Sequence, residues 1–313
     1  MGAVTTGPTG TTETAAQTLL RGLVDDAGLF PPTALPMAQA VERHRSDRIV
    51  AHPMLTHRFL CPAHRWDELR QRLTDIGWPG GRGRPAGGGD ADTAEHGERM
   101  DVGLILAPEA GVAGRLPDPD PRIRVTHCEI PADAADIRGA ADLLRRGEIG
   151  GRVRTVYFEP KRGPGWLDAV AVLAGARPLG AKVRCGGVRA DLFPSIPELD
   201  DFIAACRDND VPFKATAGLH HAARYTDPKT RFTHHGYLNL LLAAAVAADG
   251  GGSAEVRSVL AERDAEALAQ GIIRLDPTAA ARARELFVGY GSCSTGDPVR
   301  DAGRLGLLGS WEI

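Results

Sequence analysis

Lysine is nearly missing from this chain of 313 residues. Of its 37 basic residues only Lys161, Lys182, Lys214 and Lys229 are lysines, the other 33 being arginine. That skew, with abundant alanine and glycine, is what a GC-rich coding sequence produces by exchanging Lys for Arg wherever charge alone matters. The lysines that survive are enriched in roles arginine cannot fill, because only lysine readily loses its proton or forms a Schiff base. Lys161 and Lys229 read as surface residues, whereas Lys182 and Lys214 fall in strand-like segments.

Other features are absent too. The five cysteines (Cys61, Cys128, Cys185, Cys206 and Cys293) are scattered, odd in number and without a CxxC pair. This argues against a disulfide framework or a structural zinc site and fits a reducing, cytoplasmic setting. No basic stripe marks a nucleic-acid surface, and the net charge is −3 with both signs mixed. The longest purely apolar run, Leu240–Ala248, falls short of the about 20 residues a membrane-spanning helix needs. Residues 1–18, rich in Thr, Gly and Ala, lack the basic start and apolar core of a signal peptide and read as a disordered tail. The expected partner is therefore a small molecule, with neither nucleic acid nor membrane involved; oligomeric state is left open.

What is present is an alternation of apolar strands and amphipathic helices. Strand-like segments are Ile49–Leu60, Val102–Ala107, Ile123–Glu129, Val153–Glu159, Ala181–Cys185, Pro212–Ala217 and Ile272–Leu275, with an eighth around Gly22–Asp25. Between them Arg65–Ile76, Ala132–Arg146, Trp166–Ala176, Ile196–Asn209 and Gly236–Ala248 repeat apolar residues three or four apart. Ser195 with Glu198 three residues on forms a capping-box signature, and Pro197 suits a first helical turn. Such alternation implies parallel strands with right-handed crossovers. We expect one α/β domain over residues 19–313, a (β/α)8 TIM-barrel-like fold, irregular at its N-terminal strand. Low-complexity stretches 79–99 and 249–253 would lie on the barrel's N-terminal face, away from a site at the strand C-termini.

Polar residues gather at four successive strand ends: His127, Cys128 and Glu129; Tyr157 and Glu159; Lys182 and Arg184; Lys214 and Thr216. Period-two alternation places Tyr157 with Glu159, Lys182 with Arg184, and Lys214 with Thr216 on common faces. If those faces line the barrel, Lys214 is partly desolvated, with its pKa lowered for imine formation or proton transfer. Glu159 and Glu129 would then act as acid and base. Arg184, ahead of Gly186-Gly187, would hold an anion bidentately, with Lys182, Tyr157, Thr216, His221 and Asp26 as further substrate contacts. Asp26 opens an apolar, proline-fixed loop, Ala27–Pro32, that can close over the site.

Lys214-Ala215-Thr216-Ala217-Gly218 resembles the K-x-T-x-G strand of the deoxyribose-phosphate aldolase group, class I aldolases on the same barrel whose lysine forms the imine. The resemblance implies an aldolase-type lyase or isomerase acting on a small anionic carbonyl compound, without cofactor. That group also uses an Asp and a second Lys on neighbouring strands. Here the segment read as the strand after Lys214 offers Arg274, and the preceding ones offer Glu.

The histidines support an alternative. His220-His221 and His234-His235 bracket a polar loop, and His220 with Glu129 and Glu159 supplies the mixed ligands of a divalent ion (Zn, Mn or Fe), giving a metal-dependent lyase or hydrolase. A third reading is a non-catalytic small-molecule-binding barrel. Cys185 and Cys293 have no sequence-local base, so no thiol nucleophile is expected.

Overall fold

The computed structural model describes residues 13–78, 99–107, 116–146, 153 and 155–311. Eight parallel strands close into a barrel: β1 (Val24–Asp26), β2 (Leu55–Pro62), β3 (Met100–Ile105), β4 (Ile123–Ala132), β5 (Val156–Pro160), β6 (Leu179–Arg184), β7 (Phe213–Thr216) and, after a two-stranded hairpin of β8 (Tyr225–Thr226) and β9 (Thr233–His234), β10 (Phe287–Ser292). Helices α1 (Ala15–Leu20) and α2 (Met37–Val50) flank β1. The helices α3 (Trp66–Asp75), α4 (Ala134–Arg145), α5 (Trp166–Ala171) and α6 (Ile196–Asp208) follow β2, β4, β5 and β6. Four more, α7 (Tyr237–Ala248), α8 (Ser253–Ala261), α9 (Ala265–Ile273) and α10 (Pro277–Leu286), lie between the hairpin and β10, and α11 (Gly296–Arg304) follows it. The expected TIM-barrel-like fold is the observed one. Among the described residues no helix is long and apolar enough to cross a membrane.

Four assignments differ from the sequence reading. Ile49 and Val50 end helix α2 and are exposed; Ala51 in the left-handed conformation (φ 54°) stops that helix, so the strand begins only at Leu55. Ile272–Leu275 is not a strand. Its apolar run is the tail of α9, whose buried face is Leu268, Ala269 and Ile272, at helical spacing. The true eighth strand, Phe287–Ser292, starts directly from α10, and two interior glycines disguise it. Residues 15–18, read as tail, belong to α1. Thr14 and Gln17 form a capping box there, and Leu19 and Leu20 are fully buried where α1 packs on α9 and α10. Residues 1–12 and 79–98 lie outside the described residues. The Asp249–Ser253 stretch joins α7 to α8, at the end of the barrel from which the strands start.

Outward-facing Val156, Phe158, Val183, Phe213, Ala215 and Tyr290 are buried against the helices. The inward face instead mixes glycine with charge. Gly103 faces His127 and Leu60, Gly180 faces Tyr157, and Gly291 faces Leu60. These glycines leave room for long polar side chains in a volume that aliphatic layers usually fill. A Cβ on Gly103 would stand 2.4 Å from His127 Cε1. Gly103→Ala is therefore expected to destabilise the fold by about 1–3 kcal/mol, read as a lowered urea midpoint with unchanged slope.

Candidate active site

Strand parity selects the interior set. On β4, His127 and Glu129 point inward while Cys128 and Ile130 pack outward; on β1, Asp25 points inward and Asp26 outward. The inward groups form a continuous chain of opposite charges. Arg58 Nη1 of β2 donates to Asp25 Oδ1 at 3.1 Å, as does Thr56 Oγ1 at 2.6 Å. Lys214 Nζ bonds Asp25 Oδ2, lies 3.0 Å from His127 Nε2, and donates to Glu129 Oε1 at 2.7 Å. Lys182 Nζ donates to the other oxygen, Glu129 Oε2, at 2.6 Å and lies 3.0 Å from Glu159 Oε2. Arg184 Nε donates to Glu159 Oε1 at 2.7 Å. Lys182 and Lys214 are register partners on adjacent strands, 3% and 2% exposed.

Burial penalises every charge here, and the neighbours decide the outcome. Burial raises the Asp25 carboxyl, but Arg58 and Lys214 outweigh it and bring the pKa to about 2. Burial likewise raises Glu129 and Glu159; Lys182 and Lys214 hold Glu129 well below the usual carboxylate range, and Lys182 and Arg184 lower Glu159. Burial lowers Lys182, but Glu129 and Glu159 reverse this, so it rests as an ammonium with a raised pKa. Burial and then Lys214 take His127 down to about 4, leaving a neutral imidazole. The chain therefore holds four cations (Arg58, Lys214, Lys182, Arg184) and three anions (Asp25, Glu129, Glu159), a surplus of one positive charge.

A cavity of about 260 Å³ opens onto this chain. Lys182, Glu129, Arg184, Thr216, His220 and Ser292 are among its polar lining residues, and Phe30, Leu60, Ile105 and Leu192 among its apolar ones. Lys214 is not among the lining residues. It sits beside them with Tyr157, whose ring centroid is 5.5 Å from Nζ. Beyond the cavity a wider vestibule is bounded by His220 and by Tyr225, Phe232 and His234 of the β8–β9 hairpin.

Of the residues expected from sequence, Lys214, Glu129, Glu159, Lys182, Arg184, Tyr157 and Thr216 come together. Asp26 does not. It faces α2, bonded to Arg43 and 3.3 Å from His44 Nδ1, because its neighbour Asp25 takes the inward position. His221 lies in the vestibule, its side chain 55% exposed and 3.5 Å from Asp301. The metal set His220, Glu129 and Glu159 is not among the groups that converge: His220, in the loop after β7, faces Cys293. The three groups that do converge at metal-ligand spacing among the described residues are Asp25, His127 and Glu129. The Lys214 ammonium contacts all three, so a cation of this chain already stands where a divalent ion would bind. Sequence reasoning assigned no role to Asp25, Arg58 or His127, although it placed His127 at its strand end. His127 was detectable as the residue two before Glu129, on the same face.

His127 gives the site a pH signature. The unfolded imidazole titrates near 6.5 and the folded one near 4. As pH falls between these values the unfolded chain takes up a proton that the folded chain refuses, so stability drops. His127→Gln should flatten that part of the slope, read from urea unfolding at several pH values across the window.

No family model, curated protein or solved structure matches the chain.

Proposed function

We propose that this chain is an aldolase-type lyase or isomerase for a small anionic carbonyl compound, with Lys182 as the imine-forming amine. The observation that carries this reading is the pair of register-matched buried lysines on β6 and β7, joined through Glu129 in a chain with one surplus positive charge. A monoanionic substrate neutralises that surplus. The deoxyribose-phosphate aldolase group, which the Lys214 strand resembles, also uses a second lysine and an Asp on nearby strands, and Lys182 and Asp25 stand in such places here. Five free thiols fit a reducing compartment such as the cytosol.

The nucleophile is assigned to Lys182 rather than Lys214 because Lys182 lines the cavity. Its raised pKa has to be overcome. Lowering an ammonium from 10.5 or above to neutrality demands at least about 5 kcal/mol. Passing the proton to Glu159 instead of to solvent avoids separating charge in the cavity. Glu159 Oε2 lies 3.0 Å from Lys182 Nζ with no directed hydrogen bond, and so has capacity for that proton. The amine then attacks the carbonyl carbon, the carbonyl oxygen takes the proton from Glu159, and loss of water gives the imine. Arg184, released from Glu159 once that group is neutral, holds the substrate anion. Glu129, bonded to both lysines, fixes their positions while Lys214 keeps Glu129 ionised.

Incubation with a panel of small anionic ketones and aldehydes, followed by borohydride and peptide mass spectrometry, is expected to place a reduced adduct on Lys182. A compound that is turned over without an adduct on any lysine would remove the imine. Lys182→Met is expected to abolish turnover and to lower stability, the chain still folding because Glu129 keeps Lys214 and Glu159 keeps Arg184. Lys214→Met, which leaves Asp25 and Glu129 without their shared cation, should cost about 3–5 kcal/mol in urea unfolding. Turnover surviving Lys182→Met would sink the assignment. Turnover that disappears on chelation and returns with Zn, Mn or Fe would favour the metal reading instead.

A further inference from the structure

Four of the five cysteines are inert by environment. Burial pushes the thiols of Cys61, Cys128 and Cys185 up to about 12, and that of Cys206 well above the ordinary thiol range. Cys293 has different surroundings. It follows β10 at the barrel's C-terminal mouth and lines both the inner cavity and the vestibule. Its Sγ lies 3.7 Å from Nδ1 of His220, which lies in the loop after β7 and lines the same two spaces. Burial lowers the pKa of His220 although Asp297 opposes this, so the ring is a neutral base facing a thiol. Cys293 lacks a base within its own segment. The fold supplies one from the loop after β7, 73 residues away in the chain.

We propose that Cys293 and His220 form a thiol–imidazole pair that adds to aldehydes at the cavity mouth, a second nucleophile independent of the lysines. The ligand class rests on the carbonyl reading of the cavity; activation of the thiol does not. In the addition the thiol proton passes to His220 Nδ1, Sγ bonds to the carbonyl carbon, and the carbonyl π pair moves to oxygen. That oxygen recovers the proton from His220. The hemithioacetal is isomeric with thiol plus aldehyde, so no oxidant or further reactant enters. Such capture holds an aldehyde beside Lys182 or occupies the mouth when aldehyde accumulates.

The groups facing the pair are Asp297, from the start of α11, and His234, whose ring centroid is 5.8 Å from that of His220. Tyr225 stacks on His234, and Arg43 of α2 donates to the Cys293 carbonyl at 2.7 Å. Burial lowers His234 and raises the Tyr225 hydroxyl to about 12. Burial thus favours the neutral forms of both Tyr225 and His234 beside the pair.

The test is alkylation of the native full-length chain with iodoacetamide at several pH values between about 6 and 9, followed cysteine by cysteine by peptide mass spectrometry. Cys293 is expected to react before the other four, and at pH 7 at least about tenfold faster than in His220→Asn or His220→Gln. Its pH profile should be displaced downward relative to those variants, with thermal unfolding confirming that both fold. Propanal should slow labelling of Cys293, and should still do so in Lys182→Met. Equal rates in wild type and both variants, or a Cys293 no faster than its buried counterparts, would overturn the pairing. Protection by propanal that vanishes in Lys182→Met, or never occurs, would overturn aldehyde capture. A missing borohydride adduct alongside intact thiol results would count against the lysine mechanism alone.

Discussion

The contact on which the rest of the structure depends is the ammonium of Lys214, which meets Asp25, His127 and Glu129 at once. It ties β7 to β1 and to β4, strands with which it shares no hydrogen-bonded edge. A lysine 2% exposed is tolerable only if opposite charge is at hand. Glu129 then carries the compensation onward to Lys182, and Lys182 to Glu159 and Arg184. Each charge in the barrel is stable only because the next is present. Removing an internal member therefore strands two neighbours rather than one.

Stability alone does not account for such an interior. Replacing buried ion pairs by well-packed hydrocarbon is often neutral or stabilising, and a (β/α)8 barrel is usually filled with branched aliphatic layers. Here Gly103, Gly180 and Gly291 give up that filling to make space for His127, Tyr157 and the cavity itself. The apolar work is done elsewhere. Phe213 stacks on Phe287 and packs edge-on to Phe202, while Leu238, Leu240 and Leu241 of α7 are fully buried. An outer hydrophobic shell stable enough to enclose an unfavourable polar interior is what a site with perturbed protonation requires.

Much of this was legible in the sequence because strands announce themselves by parity and helices by a period near four. Seven of the nine residues assigned to catalysis or substrate contact do converge, six of them paired by alternation and Glu129 picked from its strand end. The failures share one origin: alternation is a local signal, and the missing facts were long-range. Asp25 and Asp26 are adjacent and chemically alike, and only the pairing of β1 with β2 and β10 decides which one enters the barrel. Arg58 was overlooked because its strand was read from Ile49, which blurred the parity of the segment. The strand Phe287–Ser292 went unseen because glycines replace the apolar residues that mark a strand. With it went the position of Cys293 opposite His220.

Those errors also explain why the two candidate nucleophiles differ in visibility. Lys182 and Lys214 stood out because lysine is so scarce in an arginine-rich chain, and their neighbours in the charge chain lie on strands recognised individually. Cys293 had no such contrast, since its base is supplied by the tertiary fold. The outward-facing Asp26, wrongly placed in the cavity by sequence, turns out to matter for this second pair. It bonds Arg43, whose other nitrogen donates to the Cys293 carbonyl, and it accepts from Gly28 N in the loop carrying Phe30. One strand thus serves both sides of the barrel wall. Asp25 anchors the lysine network inside, while Asp26 fixes from outside the backbone that carries the thiol and the apolar loop. A one-residue slip of β1 would exchange the two carboxylates between faces and dismantle both arrangements together.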